Sequence, residues 1–125
     1  MNIAITNNPM VKDKLEKTSG DGAFRLKIEF YETDFLGVLI AVRDRIHLGH
    51  SLLTHPLSGS IKPWETPYKT IIISGGKNSI DEKSLSIIEE SIQTCVKLKS
   101  SVKKDAWSEK ILADFQLIDY NLIFS

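Results

Sequence analysis

The sequence predicts an α/β fold: a Rossmann-like three-layer sandwich around a mostly parallel four-stranded sheet. Three observations lead there. Short apolar stretches rich in β-branched residues alternate with segments of helical periodicity, which is the order of an α/β domain. The helical segments are long enough to serve as right-handed crossovers between parallel strands. The 125 residues, 42% apolar and 26% charged, match one ordinary globular domain in size and composition. No repeat, low-complexity tract or linker interrupts the chain, so residues 1–125 read as a single α/β domain.

Asn2 to Thr6 is an isoleucine-rich strand closed by Asn7-Asn8-Pro9. Asparagine and proline form turns, and proline suits the first position of a helix. Asn8 therefore caps a helix from Pro9 to about Lys17, and Thr18 to Gly22 makes a turn. Phe24 to Tyr31 alternates apolar and polar residues, the pattern of a half-exposed strand. Thr33 is the expected N-cap, with Asp34 in the first turn, of a helix from Phe35 to His47; Gly37 inside it marks close packing and Gly49 its C-terminal cap. His50 to Thr54 is a weak third strand. Lys69 to Ser74 is the strongest one, carrying Ile71-Ile72-Ile73 and ending at Gly75-Gly76. Ser79 is the expected cap of a helix from Ile80 to about Ser100, with Leu85, Ile88, Ile92, Cys95, Val96 and Leu98 as its buried stripe. Ala106 to Phe124 reads as a last helix through Ile111, Phe115, Ile118 and Leu122, with a strand over 117–124 as the alternative. The expected strand order is 2-1-3-4.

Composition narrows the function classes. Sixteen basic residues balance sixteen acidic ones, which argues against a nucleic-acid partner read by a basic face. Lys97, Lys99, Lys103 and Lys104 read as a solvated helix end. The longest apolar run, Val38 to Val42, is too short to cross a bilayer, so no membrane partner is expected. Residues 1–6 lack the charged and apolar regions of a signal peptide, and the single cysteine, Cys95, fits a reducing, cytoplasmic setting. Cys95 lies mid-helix and reads as a small core residue.

The segment T-H-P-L-S-G-S-I-K-P-W-E-T-P-Y-K-T, Thr54 to Thr70, holds three of the four prolines and a cluster of hydroxyls. In an open α/β sheet, ligands gather outside the C-terminal strand ends. If the strands are parallel, Asn7-Asn8-Pro9, Tyr31 to Asp34, Thr54-His55-Pro56 and Ser74-Gly75-Gly76 share one rim. Ser58-Gly59-Ser60 offers open backbone N–H groups and two hydroxyls, and Lys62 or Lys69 adds positive charge, a combination suited to an anion. The candidate anion-binding set is Asn7, Asn8, Thr54, Ser58, Gly59, Ser60 and Lys62. Against it stands a loop whose hydroxyls only satisfy their own backbone. Neither nucleotide-binding glycine pattern is present.

His55 opens the loop and is the candidate acid or base; the alternative is a histidine that only bonds loop backbone. His47, His50 and His55 do not converge as ligands, so no metal and no cofactor is expected. Trp64 and Tyr68 either pin the loop to the core or cover the cleft.

The opening I-A-I-T-N-N-P-M-V-K (Ile3 to Lys12) and the loop H-P-L-S-G-S-I-K-P-W-E-T-P-Y-K-T (His55 to Thr70) resemble the GrdX family, and D-F-Q-L-I-D-Y near the end is similar to it as well. These small proteins are encoded beside glycine reductase genes in anaerobic amino-acid-fermenting bacteria. The resemblance implies a cytoplasmic protein linked to that metabolism. It carries over no catalytic residue. Two functions follow as expectations. One is a non-catalytic accessory or regulatory protein binding a small anionic metabolite or a protein partner. The other is a small enzyme acting on a phosphorylated or carboxylated metabolite, with His55 as acid or base.

Overall fold

The computed structural model describes residues 1–18, 26–58, 66–99 and 107–124. In chain order they form β1 (Asn2–Thr6), α1 (Pro9–Thr18), β2 (Leu26–Phe30), α2 (Phe35–His47), β3 (Thr70–Ile73), α3 (Glu82–Lys99) and α4 (Glu109–Phe124). The sheet has three strands in the order β2-β1-β3. β1 pairs with β2 in parallel, Asn2 opposite Leu26 through Thr6 opposite Phe30. It pairs with β3 antiparallel, Ile3 opposite Ile73 through Thr6 opposite Thr70.

This overturns the expected mostly parallel four-stranded sheet. The stretch read as a third strand supplies one bridge, Leu52 to Ile73, on the far side of β3. It therefore lies outside β3, which reverses the last two places of the expected order 2-1-3-4. Backbone bonds from Leu53 and Thr54 N–H to Ile72 O and from Ser74 N–H to Ser51 O hold it there, and side chains complete the pairing. Ser51 N–H donates to Ser74 Oγ, Leu52 N–H to Ser84 Oγ, and Ile72 N–H to Thr54 Oγ1. Parallel neighbours need a crossover of a dozen or more residues, usually a helix. No helix is described between Thr54 and Thr70, and the chain returns antiparallel to the stretch it left.

Strand alternation sorts the two faces. Ile3, Ile5, Ile71 and Ile73 pack with Val38, Leu39, Val42 and Ile46 of α2 and with Ile88, Ile92 and Cys95 of α3. Thr6 and Thr70 face the other way, toward α4. Lys12 of α1 sits 5.1 Å from the ring centre of Phe30 on that same side. β2, the edge strand, is only half buried, whereas all four β3 residues are buried. Arg45 of α2 closes the first face over β2 through an ion pair with Glu29, and Arg43 reaches Glu89 of α3 at 3.8 Å.

Helix ends follow local chemistry. Asn8 Oδ1 accepts from Met10 N–H at 3.0 Å and caps α1. Asp34, one residue past the expected Thr33, caps α2 by accepting from Gly37 N–H at 2.8 Å. Gly37 leaves room for the Thr33 side chain: a Cβ there would lie 1.9 Å from Thr33 Oγ1 and displace it. Gly49 ends α2 with φ +107°, a conformation that favours glycine. Along α3 the buried stripe is narrower than expected, because Val96 is 53% exposed; the Leu98 side chain lies outside the described residues. Residues 117–124 are helix, and Asp119 is the buried residue of α4.

Candidate functional site

Because β3 runs against β1, the end of β1 and the start of β3 share one edge of the sheet. The segment after Thr6 and the segment before Thr70 therefore meet. Ser74-Gly75-Gly76, expected at this rim, lies at the opposite edge: a Cβ on Gly75 would sit 1.7 Å from Met1 O.

A hydrogen-bond chain ties the shared edge together. Thr6 and Thr70 hydroxyl oxygens are 2.7 Å apart. Thr70 Oγ1 donates to Asp119 Oδ2 at 2.7 Å and Thr70 N–H donates to Asp119 Oδ1 at 3.0 Å. With its proton committed to Asp119, Thr70 Oγ1 accepts from Thr6, and Thr6 Oγ1 in turn accepts Asn8 N–H at 3.0 Å. Asn8 Nδ2 donates both to Asp119 Oδ2 at 3.0 Å and to Gln116 O at 2.9 Å. A carboxylate only 4% exposed is thus held by neutral donors from β3 and the β1–α1 corner.

Asn7 does the same for the returning loop. Its Nδ2 donates to Thr33 O at 2.9 Å and Pro67 O at 2.8 Å, and its Oδ1 accepts Lys69 N–H at 2.9 Å. One buried amide holds the turn after β2 and the approach to β3.

Lys69 is the chemically distinctive group. It is 3% exposed. Its Nζ donates to Ser58 O at 3.1 Å and Ser58 Oγ at 3.3 Å. Burial draws its pKa below the ordinary lysine value, and the charge of Asp119 opposes that shift. Lys69, Ser58, Thr66, Tyr68 and Asp119 line a cleft whose apolar walls are Phe35, Leu57, Ile118 and Leu122. The cleft has room for about one ordered water, ≈ 20 Å³, so anything larger extends across its mouth. Tyr68 Oη accepts from Gln116 Nε2 at 3.0 Å, which fixes the ring at the wall and leaves the phenolic proton to donate.

The residues singled out from sequence divide accordingly. Ser58 lines the cleft beside Lys69. Asn7 and Asn8 stand at the right edge, with their side-chain amides engaged as braces. Thr54 Oγ1 accepts Ile72 N–H at 3.0 Å. His55 is exposed, its Nδ1 accepts Leu57 N–H at 3.0 Å, and it does not line the cleft. Gly59, Ser60, Lys62 and Trp64 lie outside the described residues. His50 is buried, with Nδ1 2.7 Å from Ser74 O and Nε2 without a partner among the described residues. Those residues hold no cluster of three metal-ligating side chains. Asp119 entered the sequence reading only within D-F-Q-L-I-D-Y and was given no role. Its signal was the one carboxylate in the mostly apolar L-I-D-Y-N-L-I-F.

A family model described as GrdX-like protein matches residues 3–125. The chain belongs to the GrdX-like family. The resemblance drawn from two short motifs thus extends along essentially the whole sequence. No curated protein and no solved structure is significantly similar to this GrdX-like chain. None of its described helices is long and apolar enough to cross a membrane. The first of those motifs supplies Asn7 and Asn8, the second supplies Ser58, Thr66, Tyr68 and Lys69, and D-F-Q-L-I-D-Y supplies Gln116 and Asp119. The three stretches that resemble the family are the ones joined at this edge.

Proposed function

We propose that this GrdX-like protein is a non-catalytic accessory protein of glycine reductase-type amino-acid metabolism, and that its Lys69–Ser58 cleft binds a small carboxylate-bearing metabolite. The observation that carries the proposal is a buried lysine at the floor of a solvent-open cleft. An ammonium offers three donors, and among the described residues Ser58 accepts two. A carboxylate oxygen supplies the missing acceptor, and the Tyr68 hydroxyl offers a second donor to the same group. Asp119 on the same wall disfavours a doubly charged phosphate more than a singly charged carboxylate. With room for about one water inside, the ligand lies across the mouth and reaches in with one small polar end. Binding fits better than turnover by His55, which is exposed and engaged with Leu57 N–H.

The test is thermal unfolding of the full chain with acetate, glycine, phosphate and acetyl phosphate. A ligand at a hundred times its dissociation constant stabilises the native state by about 2.7 kcal/mol. Acetate or glycine is expected to raise Tm in the native protein and not in Lys69→Met. Silence across the panel refutes the small-ligand function and leaves a protein partner as the accessory role.

A further inference from the structure

The hydrogen bonds at Lys69 distinguish its two protonation states. A protonated lysine has three N–H donors and no acceptor; a neutral amine has two N–H donors and one lone pair. Among the described residues, Nζ meets two acceptors, Ser58 O and Ser58 Oγ. With the cleft empty those two satisfy the amine completely, whereas the ammonium stays one bond short until a carboxylate enters, so the two forms of a lysine 3% exposed answer to two kinds of ligand. Burial also favours the uncharged form, with Asp119 as the opposing influence. A desolvated amine against apolar walls is the state in which lysine acts as a nucleophile toward carbonyl compounds. The walls here are Phe35, Ile118 and Leu122, and the cleft opens to solvent.

We propose that Lys69 condenses reversibly with a small carbonyl compound, an aldehyde or a short 2-oxo acid, entering at the mouth of this cleft. The inference builds on the assignment of the cleft as the ligand site and names the reactive group of the ligand. The Nζ lone pair attacks the carbonyl carbon and a C–N bond forms. The C=O π pair moves to oxygen, which takes a proton, and Tyr68 Oη is the donor in the wall: its own oxygen accepts from Gln116 Nε2 and its proton is left to give. The attacking nitrogen sheds its first hydrogen to solvent, which restores the Tyr68 proton, and the carbinolamine then loses water and becomes an imine. The two amine hydrogens and the carbonyl oxygen thus account for that water, so no oxidant or reductant takes part. A proton taken up from solvent gives the protonated imine one N–H for Ser58. A 2-oxo acid brings its own carboxylate, a further acceptor for the donors that line the cleft.

The experiment uses the full native chain with glyoxylate or propanal and sodium cyanoborohydride, which reduces an imine to a stable secondary amine. Peptide mass spectrometry then reads the labelling rate at each lysine. Among the lysines whose side chains are described, accessibility alone ranks Lys69 last, far behind Lys27, whose side chain is 64% exposed. Capture at Lys69 instead places it at least about 10-fold ahead of the exposed lysines, and Tyr68→Phe slows it. Labelling that follows exposure, with Lys69 last, overturns the proposal, and this readout needs no variant to fold. Acetate and phosphate, which form no imine, separate the two claims. If they raise Tm while Lys69 stays unlabelled, the ligand site stands and the capture is refuted. If propanal labels Lys69 and no anion raises Tm, the capture stands and the carboxylate site is refuted.

Discussion

Asp119 in α4 accepts twice from Thr70, the first residue of β3: from its amide at 3.0 Å and from its hydroxyl at 2.7 Å. A third bond comes from Asn8 Nδ2. α4 is otherwise a poor core helix, since Ile111, Leu117, Ile118 and Leu122 are each at least 40% exposed. Its docking on the sheet therefore depends on a polar contact. Asp119→Ala strands the Thr70 amide and hydroxyl in a dry site, and an unsatisfied buried donor costs about 1–3 kcal/mol. A total loss of about 3 kcal/mol is expected, read as a lower urea midpoint at unchanged slope. Asp119→Asn retains one acceptor but turns an NH2 toward donors, and should lose about 2 kcal/mol. Adding Thr70→Val to Asp119→Ala removes the stranded hydroxyl and should restore part of the loss. A variant as stable as the native chain would show that α4 docks by other means.

Asn7 makes a sharper prediction, because its two ends are not interchangeable. Its NH2 serves two carbonyls and its oxygen serves one amide. Asn7→Ala leaves three backbone groups to find water, costing about 2–4 kcal/mol. Asn7→Asp keeps the shape and the acceptor but sets a carboxylate against Thr33 O and Pro67 O. The isosteric change is therefore expected to destabilise at least as much as truncation near neutral pH, by chemical denaturation. An aspartate variant more stable than alanine would contradict the assigned amide orientation.

Two glycines provide a paired control on backbone geometry. At Gly49, φ is +107° and a Cβ would come within 2.1 Å of Asn78 O, a backbone atom that cannot swing aside. Gly49→Ala should cost about 2 kcal/mol or more, from left-handed strain plus displacement of the turn before α3. At Gly76 a Cβ meets nothing within 4 Å. Gly76→Ala should fall within about 0.5 kcal/mol of the native chain in the same urea titration. Equal effects at the two positions would refute the account.

Local signals were legible in the sequence and pairing partners were not. The alternation at Leu26 to Phe30 marked a half-exposed edge strand, and the isoleucine run marked a buried one. Asn8 and Gly49 were readable as caps because capping depends on one or two residues. Strand direction depends on what joins the strands, and the parallel expectation treated the proline-rich loop as if it were a crossover helix. The meeting of Asn7 with that loop was anticipated, whereas its cause, an antiparallel β3, was not. At the candidate site, Ser58, singled out for its loop chemistry, lines the cleft. Asp119 was hidden because amphipathic reasoning assigns a helix's carboxylates to solvent, and here the carboxylate faces inward to meet Thr70. Burial of Lys69 is likewise a tertiary fact, set by Asn7 gripping its amide and Ser58 receiving its amine.

Stability should carry the signature of Lys69 as pH rises. Its pKa in the folded protein is lowered from 10.5, chiefly by burial. Between that lowered value and 10.5 the unfolded chain binds more protons than the native one, so unfolding free energy increases with pH across the interval. Below it both states are protonated, and the native protein bears the full cost of a buried ammonium. Lys69→Met removes this titration and leaves every other group in place. The native chain should therefore gain on Lys69→Met in urea titrations from pH 7 toward pH 10, whatever the sign of their difference at neutrality. Tyr31, whose pKa is raised from 10.0 chiefly by burial, is present in both proteins and cancels. If Asp119 instead governed Lys69 and raised its pKa, the gap would stay flat to pH 10 and then move against the native chain. A flat gap would thus contradict the lowered pKa, and with it the neutral amine that carbonyl capture requires.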